Sequence, residues 1–171
     1  MSKVITFSRK FPAYHPNKGG PTYFVEKVWE AIEPGENEDD KIIALSKYQD
    51  QTELNNEMYR YLRYDFVKKI HTIRNGGRWK TGDKASLRVW SGQPYHSKQV
   101  EIAPEITIPL VLDFELTEMR DVFIDGKKWT DMDVLAKNDG LKTDDLSDWF
   151  NKPFRGQIIF LTNVDNPYEC R

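Results

Sequence analysis

The run Lys69-Ile70-His71-Thr72-Ile73-Arg74-Asn75-Gly76-Gly77-Arg78-Trp79-Lys80-Thr81-Gly82-Asp83 changes character within a few residues. Ahead of it, residues 52–67 carry Leu54, Met58, Leu62 and Phe66 at intervals of four, which is the period of one helix face. From Lys69 onward the pattern becomes that of strands. Residues 71–74 form the first, residues 84–90 the second, and residues 106–112 a third in which Ile106, Ile108, Leu110 and Leu112 alternate with other side chains. Pro109 lacks an N–H for a ladder, so this third strand belongs at a sheet edge.

Outside this centre, residues 4–7 read as a short strand and residues 12–21 as a loop rich in Pro and Gly. Thr22 can cap a helix whose apolar face is Phe24, Val28 and Ile32 with Val25 and Trp29 alongside, and Pro34-Gly35 stops it. The acidic run 36–40 is a solvated loop. Asp125-Gly126 suits a type I′ turn and makes residues 122–129 a hairpin. Thr130 with Asp133 resembles a capping box, Gly140 ends that helix, and Thr143 begins another with Leu146, Trp149 and Phe150. The last strand, residues 157–162, is apolar enough to be central. Strands interrupted by short helices predict an α+β mixed β-barrel with short flanking helices and a helical insertion at 36–66, the whole of residues 1–171 forming a single domain.

Composition narrows the functional classes. Thirty per cent charged residues surround a chain whose 39% hydrophobic content suffices for one core. Cys170 is the only cysteine, so no intrachain disulfide forms and a cytoplasmic location is expected. No apolar stretch is long enough for a signal peptide or a membrane span. His15, His71 and His96 lack ligand spacing, and no metal or other cofactor is expected. The net charge of -2 hides an asymmetry: residues 60–98 hold ten Lys or Arg against two Asp, whereas residues 101–148 hold thirteen acids against five bases. The two segments either neutralise each other across one surface or leave a basic groove.

Lys69, Thr72 and Arg74, followed after a loop by Gly82-Asp83, resemble the signature of the ASCH family in the PUA-like superfamily. That signature is Lys-x-x-Thr-x-Arg entering a strand, then Gly-Asp before the next. Val67 stands where the family often has Gly. Downstream, Leu135-Ala136-Lys137-Asn138-Asp139-Gly140-Leu141 looks like the segment that supplies a carboxylate to the barrel cleft. The resemblance covers most of the chain except residues 36–66, and it implies a PUA-like barrel that binds RNA or a modified nucleoside. Some small ASCH proteins are amidohydrolases that remove the acetyl group of N4-acetylcytidine with Lys, Thr and Glu. By that likeness Lys69, Thr72 and Asp139 are the catalytic candidates, with Asp139 in place of the Glu.

Chemistry frames what these residues can do. A Thr hydroxyl needs a base to become nucleophilic, and a Lys amine serves only when burial or a neighbouring cation such as Arg74 depresses its pKa. Lys69 and Thr72 are three apart, so their convergence requires Lys69 to stand outside the regular strand. Plainer roles compete: a β-forming Thr72, a Lys69 that caps a helix C-terminus, and an Asp139 that shapes a turn. For binding, Arg74, Arg78, Lys80, Arg88 and Lys98 interleave with Trp79, Trp90 and Tyr95, a mixture that can hold phosphates and stack bases unless Trp79 and Trp90 are core residues. The polar loop 91–99 is expected at the cleft rim. The alternative surface, an interaction face on the insertion, rests only on Leu54, Met58, Leu62 and Phe66.

Overall fold

Two β-sheets and a few short helices share one apolar core in the computed structural model, which describes residues 1–32, 45–48 and 51–169. Pro34-Gly35, the acidic run 36–40 and Cys170 lie outside the described residues.

The first sheet is built on β3 (Lys84–Trp90). β1 (Lys3–Phe7) runs parallel along one side of β3. On the other side β4 (Gln99–Glu101) and β5 (Ile106–Thr107) pair antiparallel with its two halves. β1 is therefore an edge strand. The second sheet has the order β2, β9, β6, β7, β8 with every pair antiparallel. Its strands are β2 (His71–Asn75), β6 (Val111–Leu116), β7 (Val122–Ile124), β8 (Lys127–Trp129) and β9 (Phe154–Phe160). β9 sits between β2 and β6, the central place its apolar sequence predicts, although it begins three residues earlier than expected.

The strand expected over residues 106–112 is two strands. Pro109 has no ladder N–H, and around it the chain changes sheets: β5 pairs with β3, and β6 pairs with β9. The amide of Ile108 bonds the Asp83 carbonyl of one sheet, while the Leu110 carbonyl accepts from Phe160 of the other. Strand pairing among the described residues leaves two separate sheets and does not join them into the closed ring that the sequence predicts. The hairpin is as expected, with Asp125 and Gly126 both at positive φ, 48° and 75°.

The helices are short. α1 (Phe24–Ala31) buries Phe24, Val25, Val28 and Trp29, and the Trp29 indole donates to the Ile102 carbonyl at 2.6 Å. Thr22 accepts from Phe24 N–H, but Tyr23, in left-handed backbone, takes the cap position itself. In the predicted insertion, a 3-10 turn (Thr52–Leu54) leads into α2 (Asn55–Tyr61). The helix expected to reach residue 67 stops early, because Leu62, Tyr64 and Val67 face solvent and give a longer helix nothing to bury. α3 (Met132–Asn138) starts one residue later than the Thr130 box implies. Asp131 caps it by accepting from Val134 N–H at 3.0 Å, and the Asp133 carboxylate accepts instead from the Thr143 hydroxyl. α4 (Thr143–Trp149) follows. No helix among the described residues is long and apolar enough to cross a membrane.

Gly156 stands in β9, opposite Asn75 of β2 and Phe114 of β6. A Cβ there would lie 2.0 Å from the Arg74 carbonyl oxygen, so the strands could not keep their spacing. Gly156→Ala is expected to destabilise the protein by roughly 3 kcal/mol, at the upper end of overpacking costs. Urea unfolding checks this; an unchanged midpoint refutes the close approach of β9 to β2.

Candidate ligand-binding site

Lys69 lies just before β2, outside any helix or strand, where its own N–H bonds the Lys27 carbonyl at 2.9 Å and the next amide, of Ile70, bonds the Asn138 carbonyl at 3.0 Å. These bonds draw α1 and the end of α3 together at the start of the second sheet. The Lys69 amine reaches the Asp139 backbone carbonyl and stands 3.1 Å from Asp139 Oδ1. Both residues are buried. Asp139 ends α3 in a Schellman arrangement: Gly140 N–H bonds the Lys137 carbonyl, Leu141 N–H bonds the Ala136 carbonyl, and Gly140 has φ 76°. Lys69 thus caps a helix C-terminus and pairs with a carboxylate at once. A Cβ on Gly140 would meet Lys69 Cβ at 3.2 Å and Lys27 Cδ at 3.3 Å.

The network continues through groups that the sequence does not mark. His71 Nδ1 is 3.4 Å from Asp139 Oδ1, long for a hydrogen bond, and His71 Nε2 is 2.6 Å from the Tyr168 hydroxyl. Asn138 Nδ2 donates to the same hydroxyl at 3.1 Å. Burial lowers the Lys69 pKa to about 8, against the opposing pull of the Asp139 charge. Burial likewise depresses His71. For Asp139 burial works against ionisation, but the Lys69 charge and His71 outweigh it and hold the carboxyl below its ordinary range.

Beside this network is a cavity of about 1200 Å³. Its walls are β1, the chain after it to Pro12, the inner side of α2, residues 74–79, and the loop 90–95. Arg74, Arg78, Trp79 and Tyr95 line it, as do Trp90, Arg9, Glu57 and Arg60. Lys69, Thr72 and Asp139 are not among the lining residues, nor are Lys80, Arg88 and Lys98. β2 pairs with β9 without a bulge, so Thr72 shares its face with Arg74 while His71 occupies the other. Lys80 is at the surface with its amide bonded to Asp83 Oδ2; Arg88 pairs with Glu101 at 3.0 Å. Lys98 makes an ion pair with Glu53 that joins the rim loop to α2's leading turn. Trp79 is a core residue at 3% exposure, whereas Tyr95, at 85% and with φ 65°, stands open beside Trp90, ring centroids 5.3 Å apart.

Four alternating charges build the α2 wall. Arg9 Nε donates to Glu57 at 2.7 Å, Arg60 lies 3.6 Å from Glu57, and Arg60 Nε donates to the buried Glu26 at 2.6 Å. Arg9 also bonds the carbonyls of Ser91 and Glu53, fixing both sides of the mouth. Glu57 and Arg60 stand at the i,i+3 spacing of a helix, but the pairs Arg9–Glu57 and Arg60–Glu26 are separated by 48 and 34 residues and leave no spacing signal. Among the described residues no cluster of three or more His, Cys, Asp and Glu could hold a metal ion. No family model, curated protein or solved structure matches the chain.

Two measurements test the buried network. Asp139→Asn strands the Lys69 charge and is expected to cost about 3–5 kcal/mol in urea unfolding at pH 7, with Lys69→Met/Asp139→Asn losing less than the single change. Because the Asp139 charge raises the Lys69 pKa, the same Asn variant should move the amine's midpoint, followed by nitrogen NMR, below 8. His71 has a folded-state pKa under the unfolded value of about 6.5, so the unfolded chain takes up its proton first. Its share of stability is present above that pH and shrinks as pH falls towards the folded pKa. His71→Gln should therefore lose less stability than wild type between pH 7 and pH 5; an equal loss refutes the assignment.

Proposed function

We propose that the chain is an ASCH-type, PUA-like domain that holds RNA or a modified nucleoside in the cavity between β1, α2 and the 90–95 loop. One observation carries this reading: the Arg74 and Arg78 side chains and the Trp90–Tyr95 pair converge on a single cavity of about 1200 Å³. That volume exceeds the roughly 300–1,000 Å³ of small-ligand sites. An aromatic pair gives a base a flat partner, and the cations suit a sugar-phosphate backbone. Tyr95 also holds φ 65° at the cavity mouth, a conformation that costs a non-glycine residue energy and that keeps its ring beside Trp90.

Hydrolysis of an N4-acylated cytidine is the second reading, and one observation favours it: an amine whose pKa falls to about 8 sits beside a carboxylate. Such an amine is partly neutral near physiological pH and able to act as a base or nucleophile. It ranks second because Lys69, Thr72 and Asp139 do not line the cavity.

Fluorescence titration of the intact protein with single-stranded RNA and with nucleosides separates the two. Binding is expected, and Tyr95→Ala should weaken it by roughly 5- to 150-fold, the equivalent of about 1–3 kcal/mol for one stacked base. Absence of binding overturns the proposal. Turnover of acylated cytidine that disappears in both Lys69→Ala and Thr72→Ala replaces it with the hydrolase.

A further inference from the structure

β1 is an edge strand, and its outward carbonyls are not left to water. Arg74 Nη2 donates to the Thr6 carbonyl at 2.8 Å, and Arg78 Nη2 donates to the Val4 carbonyl at 3.2 Å. Thr6 and Val4 are two residues apart, so the two guanidinium groups dock side by side on one strand edge. Both face the cavity. Neither has a carboxylate within ion-pair distance among the described residues, although the neighbouring cations Lys3, Arg9, Arg60 and Lys98 all do.

The surrounding charge is also unbalanced. Five cationic side chains and two carboxylates line the cavity, and both carboxylates are already engaged, Glu57 by Arg9 and Arg60 and Glu53 by Lys98. Behind the wall, the charge of Asp139 is shared by Lys69, Lys27 and Arg74. Burial holds the Arg74 guanidinium below its ordinary pKa, and Arg78 pushes the same way while Asp139 opposes. Arg74 Nε has no hydrogen-bond partner among the described residues. Arg74 is half-buried and Arg78 exposed, and a half-buried cation with no carboxylate at ion-pair distance is costly unless an anion completes it.

Resting on the reading that the cavity takes a nucleoside unit, we infer that its ligand is phosphorylated: Arg74 and Arg78 form a phosphoryl-binding pair on the edge of β1 that takes a phosphate monoester or diester and passes over the neutral nucleoside. The planar guanidinium offers several N–H groups, and the β1 carbonyls consume only one nitrogen of each, so the remaining donors can bind phosphate oxygens. The carbonyl bonds also hold each group in place before the ligand arrives, which reduces the ordering cost of binding. The Trp90–Tyr95 pair then meets the base of the same nucleotide.

Calorimetric titration of the full chain with the four common ribonucleosides, their 5′-monophosphates and 3′,5′-linked dinucleotides whose only phosphate is the internal diester decides the matter. A phosphorylated species is expected to bind at least about tenfold more tightly than its nucleoside, with the monophosphate ahead for a free nucleotide and the dinucleotide ahead for a strand. Arg78→Gln, at an exposed position, should abolish this preference with an unchanged melting temperature, while the distant Lys127→Gln should preserve it. Nucleosides binding as tightly as their phosphorylated forms overturn the phosphoryl pair and leave the nucleoside cavity standing. So does a preference that survives Arg78→Gln. If no species binds, the cavity assignment falls together with the inference.

Discussion

A lysine and an aspartate seventy residues apart meet where almost no water reaches them, and much of the molecule is arranged around that encounter. Moving two such charges out of water costs several kcal/mol each, so the pair endures only with further partners. The Asp139 carbonyl at the end of α3 supplies one, and the negative end of the α3 dipole lies beside the amine. The main chain on either side is fastened too: Lys69 to α1 through Lys27, Ile70 to Asn138 on one side and to Leu161 on the other. The pair therefore sets where β2 begins and which way Arg74, five residues on, presents itself.

This gives the cavity and the buried network a shared origin without making them one site. Alternation along β2 turns His71 towards Asp139 and Thr72 with Arg74 towards the other face. Beyond the β2 backbone that carries both, the two regions share a charge, since Asp139 is the carboxylate that offsets both Lys69 and Arg74. A surplus of positive charge is left at the cavity wall, held by carbonyls and not by acids.

What the sequence makes legible follows interaction range. The α1 face, the Asp125-Gly126 hairpin, the Gly140 stop and the apolar β9 depend on neighbours a few residues away, and the structure has all four. Pro109 signals an interruption, yet whether it marks an edge or a change of sheet depends on partners far along the chain. The α2 region misleads, because Leu62 and Phe66 keep the helical interval while the core needs only Leu54 of that series fully buried. At the site, Arg74, Arg78 and Tyr95 stand out by residue type and position. Arg9, Glu57, Tyr168 and Asn138 do not: each gains its role from a partner brought close only by folding.

The parallel pairing of β1 with β3 has a consequence in time. Residues 3–7 leave the ribosome before their ladder partners, residues 85–89, which are synthesised some eighty positions later, and closing so long a loop is entropically slow. During that interval the second sheet is also unfinished, since β9 comes later still. Residues 3–7 therefore wait with a bare strand on both sides, and the cavity, which borrows one wall from them, cannot form until residues 85–95 have been made.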